Sequence, residues 1–158
     1  IRENDSYGGA IPSANSVAMY NLVRLARITG RVELEEQARQ LGAAFSSSVK
    51  RSPAAHTFLM SALSFASGPS FEIVIVGERE DEKTQEMLTA IDAAYLPNSV
   101  VVLRPIGESE AIDKLSSFVL SHDALDGKAT AYVCQNFTCQ LPTTDVEKMM
   151  SMVAIEND

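Results

Sequence analysis

Two cysteines, Cys134 and Cys139, carry the most distinctive chemistry in the sequence. Four residues separate them, so they lack the C-x-x-C spacing that tunes a thiolate for redox exchange. Three roles remain open: structural thiols, a disulfide across a turn, or a metal or redox site. A zinc site would need two more ligands, and the two histidines, His56 and His122, lack zinc-finger spacing. We predict structural thiols, because an intracellular chain usually keeps such a pair reduced.

The loop from Tyr7 to Ser16 is the best candidate for ligand binding. It combines glycines, an aromatic ring and several amide and hydroxyl groups directly before a predicted helix N-terminus. Such loops often bind sugars or anions, because backbone N–H groups and side-chain hydroxyls converge there. Tyr7, Ser13 and Asn15 are the candidate binding residues, although turn and cap chemistry explains the same composition equally well.

The other polar groups fit structural roles better. The charge run of residues 78–83 follows a predicted strand, but its four carboxylates would repel a phosphate, and the chain has no G-x-G-x-x-G or Walker pattern. We predict a solvated, helix-capping run, with a metal or sugar-hydroxyl role as the alternative. His56 and His122 are expected at a helix end or an exposed turn. The sequence has no G-x-S-x-G motif, so nothing indicates a serine nucleophile. Catalytic residues stay unknown, and no cofactor or resident metal is expected.

Charge limits the partners of this chain. Its 158 residues carry a formal charge of −8, which a nucleic-acid backbone or an anionic membrane would repel, so neither is an expected partner. Residues 1–68 contain seven basic and five acidic side chains, whereas residues 69–158 contain six and 16. We therefore predict a helical segment followed by an α/β segment, with the boundary at the linker-like sequence Gly68-Pro69. No signal peptide or apolar membrane span is evident, so we expect a cytoplasmic location.

The first segment has the spacing of three helices joined by short connections, which favours antiparallel neighbours. Ser13 is placed to cap the first helix and Gly30 to end it. Three helices make one and a half hairpins, so we expect part of a larger helical array. The predicted helices cover about residues 13–30, 32–49 and 52–68.

The second segment alternates strands and helices, which predicts a small α/β layer of three parallel strands. The run Phe71–Gly77 is apolar on nearly both faces, so we expect it at the centre of the sheet. Thr144 and Glu147 are placed to form a capping box before the last helix. Further strands are predicted at residues 99–103 and 129–134, and further helices at 82–95 and 108–120.

Several motifs, taken in order, resemble one known family. The stretch Gly9–Ala18 followed by Leu22–Leu25 resembles the late part of the large family related to spermatogenesis-associated protein 20. Ala131–Pro142 resembles the cysteine-containing C-terminal tail of the same family. Phe71–Gly77 and Tyr95–Asn98 fit between these motifs in the same order, so the resemblance runs over most of the chain.

The resemblance implies a C-terminal fragment of a larger protein. Members of the family have an N-terminal thioredoxin-like domain, absent here, and an (α/α) toroid similar to six-hairpin glycosidases and N-acylglucosamine 2-epimerases. Residues 1–68 would then be the last helices of the toroid, and residues 69–158 would be an α/β portion attached to it. The remainder of the parent chain is accordingly the first expected partner.

Two functions follow from the resemblance. In the first, the parent protein binds or acts on a carbohydrate or polyol, with Tyr7 stacking on a sugar face and Ser13 and Asn15 bonding its hydroxyls. In the second, the segment is a non-catalytic structural or interaction module that completes the toroid and docks a thioredoxin-like domain or another partner. The segment alone is not expected to catalyse a reaction, and uncovered apolar helix faces would favour homo-oligomers.

Overall fold

The chain divides into two compact units in the computed structural model, which describes residues 6–153. The first unit comprises the residues up to Arg27 together with Arg31–Pro69, and the second comprises Ile28–Gly30 together with the chain from Ser70 onward. The regular elements of the first unit are helical and those of the second are a sheet and helices, which confirms the predicted mixed α/β class. Across the described residues, no helix combines the length and the apolar character needed to cross a bilayer.

The three predicted helices of the first segment are present, with ends set by local sequence. The Ser13 hydroxyl accepts a hydrogen bond from the Ser16 N–H at 3.2 Å, and Gly30 takes a φ of 73°, the left-handed conformation that ends a helix. The third helix begins differently from the prediction, because the Ser52 side chain makes no capping bond and Pro53–His56 forms a 3₁₀ turn. The helices are α1 (Ala14–Thr29), α2 (Val32–Arg51) and α3 (Thr57–Ser67).

Apolar side chains from all three helices form the buried interior of the first unit. Tyr20 adds edge-to-face contacts to Phe58 and Phe65, with ring centroids 5.5 and 6.1 Å apart. Such contacts favour one arrangement of the rings over others. The most deeply buried members are Met19, Val23, Ala26, Ala38, Leu59, Ala62 and Phe65.

The second unit is built on a four-stranded sheet in the order β2–β1–β3–β4. Its first strand pairs in parallel with the second and antiparallel with the third, so the predicted central position of the first strand is confirmed. The strands are β1 (Phe71–Gly77), β2 (Ser99–Pro105), β3 (Thr130–Gln135) and β4 (Thr138–Cys139). The helices are α4 (Glu82–Asp92), α5 (Glu110–Leu115) and α6 (Val146–Val153), with a 3₁₀ turn at Ser117–Ser121.

The antiparallel direction of β3 corrects the predicted layer of three parallel strands. A parallel return needs a crossover that carries the chain back along the sheet, usually a helix. The single helix predicted at 108–120 is divided at Ser116, whose φ of −130° and ψ of 104° are extended, and the apolar side chain of Leu115 is 59% exposed. The chain therefore enters β3 next to the C-terminal end of β1, with Thr130 opposite Val76.

Two further features of the second unit differ from the sequence prediction. The sequence does not predict β4, which pairs with β3 across a turn at Asn136-Phe137. At α6, Asp145 Oδ1 accepts a hydrogen bond from the Lys148 N–H at 2.7 Å. Asp145 is therefore the cap, because its carboxylate is both a good acceptor and favoured by the helix dipole. The capping box predicted for Thr144 is wrong.

Strand β1 is buried on both faces along its whole length, as its apolar run predicts. Successive side chains point to opposite faces, so β1 contributes to two separate apolar clusters. The first cluster includes Phe71, Ile73, Ile75, Met87, Ile91, Met149 and Val153. The second includes Val74, Val76, Val102 and Val119.

A methyl group at Gly77 is expected to destabilise the second unit. A Cβ built at this position would collide with Thr84 Oγ1 and lie 3.4 Å from Ala129 Cα. Thr84 is fully buried and its Oγ1 bonds Asp81 Oδ1 at 3.3 Å, so it cannot move aside freely. Such overpacking costs about 1–3 kcal/mol, which chemical denaturation of Gly77→Ala would measure.

Thr84→Ala provides the matched background for this test. Removing Oγ1 makes room for the new methyl group, so Gly77→Ala should cost at least about 1 kcal/mol less in that background. Equal costs in the two backgrounds would contradict the proposed collision.

Candidate functional site

The three predicted ligand-binding residues of the first unit lie together. Tyr7, Ser13 and Asn15 line one open cleft of about 360 Å³, whose other walls are glycine, proline and aliphatic residues of the same loop. Tyr7 is 58% exposed, so solvent reaches its ring. None of the lining residues carries a charge. The cleft therefore offers one aromatic face and several neutral polar groups to a ligand.

The loop is held in place by hydrogen bonds to the 3₁₀ turn before α3. The Gly8 N–H donates to the Ala55 carbonyl at 2.8 Å, and His56 Nδ1 donates to the Ser6 carbonyl at 2.8 Å. Nδ1 carries the proton, because a carbonyl oxygen only accepts. His56 ends this 3₁₀ turn directly before α3, which is the helix-end position expected for it, and it is 8% exposed. Its imidazole therefore holds the start of the loop against the 3₁₀ turn.

Ser13 lines the cleft and caps α1 at the same time. Its Oγ accepts from the Ser16 N–H at 3.2 Å and shares a hydrogen bond of 2.8 Å with Ser16 Oγ. A hydroxyl has one donor and two acceptor positions, so one position remains for a ligand. Capping and ligand binding are thus compatible roles for this residue.

Cys134 and Cys139 form a disulfide, with the two sulfur atoms 2.06 Å apart. They are opposite each other in the pairing of β3 with β4, and their Cα atoms are 3.8 Å apart. The prediction of free structural thiols is therefore wrong, and the two cysteines form a disulfide, the second of the three alternatives. The spacing in sequence does not reveal this pairing, since it depends on the positive φ angles of Asn136 and Phe137, which turn the chain back on itself.

His122 lies against this disulfide. Its Nε2 is 3.4 Å from Cys139 Sγ, and the side chain is 3% exposed. The rings of Phe118 and Tyr132 contact the imidazole edge to face, with centroids 4.8 and 4.5 Å away. The predicted exposed position of His122 is wrong, because these aromatic side chains cover it.

Burial lowers the pKa of His122 below its ordinary value, because the imidazolium loses its hydration. The positive charge of Arg104 acts in the same direction. Hydrogen bonds to the carbonyls of Phe118 and Val119 and the charge of Asp123 oppose this shift. The imidazole is accordingly neutral at neutral pH, and one ring nitrogen has a lone pair for a proton or a metal.

Arg104, at the end of β2, fixes the backbone of His122. Its Nη1 donates to the His122 carbonyl at 2.8 Å, while Nε and Nη2 bond the two carboxylate oxygens of Asp113 at 2.8 and 3.2 Å. These bonds from Arg104 are the main reason that the pKa of Asp113 is lowered. Sequence reasoning missed Arg104, although an arginine at the end of a buried strand is a usable signal.

Glu72 is a buried carboxylate within the apolar strand β1, with 1% of its surface exposed. It stands opposite Cys134, so the two side chains share one face of the sheet. Glu72 Oε2 accepts from the Phe137 N–H at 3.0 Å and thereby holds a turn residue whose φ of 61° is unfavourable without such support. Sequence reasoning missed this role, which a single acidic residue in an apolar run could have indicated.

The charge run of residues 78–83 has a structural role in α4. Asp81 Oδ1 accepts from the Thr84 N–H at 3.0 Å, which confirms the predicted helix cap. Lys83 pairs with Glu86 at 2.7 Å on the exposed side of the helix. The run also borders a polar cavity of about 470 Å³.

One group of side chains in the described part of the chain has the geometry to share a metal ion. It consists of His122, Cys134 and Cys139, whose ligand atoms all lie within 4.8 Å of one another. Neither His56 nor the charge run of residues 78–83 takes part in such a group among residues 6–153.

Known proteins resemble nearly the whole chain. Over 145 residues, 92% of the chain, it is 35% identical to spermatogenesis-associated protein 20 of Homo sapiens and 32% identical to that of Rattus norvegicus. It is also 28% identical over 151 residues to an uncharacterized protein of Caenorhabditis elegans, covering 94% of the chain.

The chain is related to spermatogenesis-associated protein 20. The family resemblance predicted from the motifs is thereby confirmed. The chain spans 18% of the length of the human and rat proteins and 20% of the nematode protein. No protein-family profile matches it, and no solved structure is significantly similar to it.

The buried imidazole of His122 should make the protein less stable in mild acid. The unfolded chain binds a proton at His122 near pH 6.5, whereas the folded chain, with its lowered pKa, does not. The free energy of unfolding should therefore fall as the pH drops through about 6.5, by at most about 1.4 kcal/mol per pH unit. Urea titrations between pH 7.5 and 5.5 would measure the slope.

His122→Gln removes the titrating group and should reduce this slope. Ser121→Ala, which changes the neighbouring hydroxyl and leaves the imidazole in place, should keep it. An unchanged slope in His122→Gln would contradict the assignment.

Proposed function

We propose that this segment contributes a carbohydrate- or polyol-binding surface to a larger protein. The observation that carries the proposal is the convergence of Tyr7, Ser13 and Asn15 on one cleft. The reaction of the whole protein, whether glycosidase-like or epimerase-like, would depend on residues outside this chain, which spans 18% of the human relative. The segment alone is a binding element in this account and not an enzyme.

The chemistry of the cleft suits a neutral ligand with many hydroxyls. A sugar ring presents C–H groups on one face, which pack on an aromatic ring such as Tyr7, and hydroxyls around its edge. Ser13 and Asn15 supply hydroxyl and amide groups that both donate and accept hydrogen bonds. The backbone N–H groups at the start of α1 add further donors toward a hydroxyl oxygen.

The loop that lines the cleft is also ordered before a ligand binds. The hydrogen bonds from Gly8 to Ala55 and from His56 to Ser6 fix the N-terminal side of the loop to the 3₁₀ turn before α3. A loop that is already ordered loses less conformational entropy on binding, so even a few hydrogen bonds give measurable affinity.

Calorimetric titration of the full-length protein with neutral mono- and disaccharides tests this proposal. Loss of one hydrogen bond of about 1 kcal/mol in Asn15→Ala should weaken binding about fivefold. Loss of the stacking ring in Tyr7→Ala should weaken it about tenfold. Asn21→Ala and Tyr95→Ala change exposed residues outside the cleft and should leave the affinity unchanged.

Two results would contradict the carbohydrate proposal. One is the absence of binding to every sugar in the panel. The other is binding that the variants at Tyr7 and Asn15 leave unchanged, since the ligand would then occupy another site.

A second candidate function rests on a different observation, an apolar groove in the helical unit. The groove has a volume of about 480 Å³, and aliphatic and small side chains dominate its walls. We propose that a helix from the remainder of the parent chain fills it, as expected if this segment completes a helical toroid. The lining includes Met19, Val23, Ala38, Gly42, Ala43 and Leu63.

Neighbouring alanines of α2 allow a matched test of this docking. Both Ala43 and Ala44 are exposed in this chain, but only Ala43 lines the groove. In the full-length protein, Ala43→Asp should lower the thermal unfolding midpoint and speed limited proteolysis more than Ala44→Asp, because a carboxylate in a filled apolar groove is poorly solvated. Equal effects of the two substitutions would contradict docking at this groove.

The remaining expectations about partners stay proposals as well. We propose that a thioredoxin-like domain docks on this segment in the parent protein. We also propose that copies of the isolated segment associate through exposed apolar helix faces. The proposed location of the protein is the cytoplasm. Cell fractionation tests the location, and sedimentation of the full-length protein beside the segment tests whether pairing needs uncovered faces.

A further inference from the structure

We propose that His122, Cys134 and Cys139 form a redox-gated site for a thiophilic divalent cation of the zinc class. While the disulfide is intact, the two sulfur atoms cannot bind a cation as thiolates. Reduction supplies two thiolates beside an imidazole that is already in position. This inference is independent of the carbohydrate proposal, because it concerns the other unit of the chain and none of the cleft residues.

The distances between the ligand atoms suit zinc after small movements. In the disulfide form, His122 Nε2 lies 3.4 Å from Cys139 Sγ, and all three ligand atoms lie within 4.8 Å of one another. Zinc binds sulfur at about 2.3 Å and imidazole nitrogen at about 2.0–2.1 Å, so tetrahedral ligands stand roughly 3.5–3.8 Å apart. The nitrogen is already near that separation from one sulfur, and the sulfurs need only move apart from bonding distance.

The imidazole is positioned for coordination by contacts that do not involve the cysteines. Phe118 and Tyr132 hold the ring edge to face, and Arg104 bonds the His122 carbonyl at 2.8 Å. The second ring nitrogen, Nδ1, lies 3.4 Å from Ser121 Oγ. A partner at this second nitrogen is typical of histidines that bind metals.

The structure also allows Cys139 to adjust without disturbing the core of the sheet. It lies on β4, a strand of two residues at the edge of the sheet, which pairs only with β3. Cys134, in contrast, is 1% exposed and fixed within β3 beside β1. The partly exposed Cys139 gives thiols and cations a route to the site.

The donor set determines the class of cation. Two thiolates and one imidazole favour zinc-class ions over magnesium or calcium, which prefer oxygen ligands. Three protein ligands leave the fourth tetrahedral position to water. The buried Glu72 does not belong to the group of ligand atoms that lie within 4.8 Å of one another, so it is not among the proposed ligands.

The redox step balances with ordinary thiols as the reductant. Two thiol molecules give two electrons and two protons to the Cys134–Cys139 disulfide, which becomes two thiols while the reductant becomes a disulfide. Each cysteine then releases its proton when its sulfur binds the cation. Because the cation binds only the reduced form, it favours reduction by mass action.

Titration of the full-length protein with Co²⁺ alone, followed by Zn²⁺ competition, tests the proposal. The protein is reduced with a phosphine, which becomes its oxide with oxygen from water, and is freed of metal first. The reduced wild type should bind one more Co²⁺ than Cys139→Ser, with the visible bands and sulfur charge-transfer absorption of a tetrahedral thiolate site. The reoxidised wild type should lose this binding.

Histidine variants separate the proposed site from a simple dithiol. His122→Gln should weaken Co²⁺ binding at least tenfold, whereas His56→Gln removes the other buried histidine and should leave it unchanged. Equal affinity in wild type and His122→Gln, or equal stoichiometry in wild type and Cys139→Ser, would overturn the proposal.

A measurement on the unmodified sequence covers the case in which a variant fails to fold. Zn²⁺ should protect Cys134 and Cys139 of the reduced wild type from alkylation by N-ethylmaleimide, as judged by peptide mass spectrometry. Alkylation at the same rate with and without Zn²⁺ would overturn the proposal.

Discussion

Strand β1 is the constraint on which the second unit depends. It is buried on both faces and has a hydrogen-bonded strand on each edge, so its register fixes the position of β2 and β3 together. One face forms the core with α4 and α6, and the other carries Glu72 opposite Cys134. A slip of one residue would exchange the two faces, so the register that fills the core also places the disulfide.

The cluster around His122 is assembled from parts that are distant in sequence. Arg104 comes from β2, the histidine follows a 3₁₀ turn, and Cys139 lies on the short edge strand β4. Each part reaches the cluster only because β1 stands between β2 and β3. The cluster places a disulfide beside a neutral imidazole, and the buried carboxylate of Glu72 lies opposite Cys134 on the same face of the sheet.

Most features that depend on neighbouring residues were predictable from the sequence, although the caps of α3 and α6 were not, and features that depend on distant pairing were missed. The cap at Ser13, the stop at Gly30 and the cap at Asp81 follow from local chemistry and are present. The direction of β3 depends on where a helix breaks, and the burial of His122 depends on aromatic side chains from other elements. The cleft is an intermediate case, since its residues lie within nine positions and the loop alone brings them together.

Nuclear Overhauser measurements on the chain with isotope-labelled histidine test the central claim most directly. The sequence has two histidines, so assignment is simple. In the oxidised protein, we expect contacts from the His122 imidazole protons to the Tyr132 ring and to the Cys139 Hβ protons. An imidazole at His122 that shows neither contact and behaves as a solvent-exposed group would contradict the cluster and everything inferred from it.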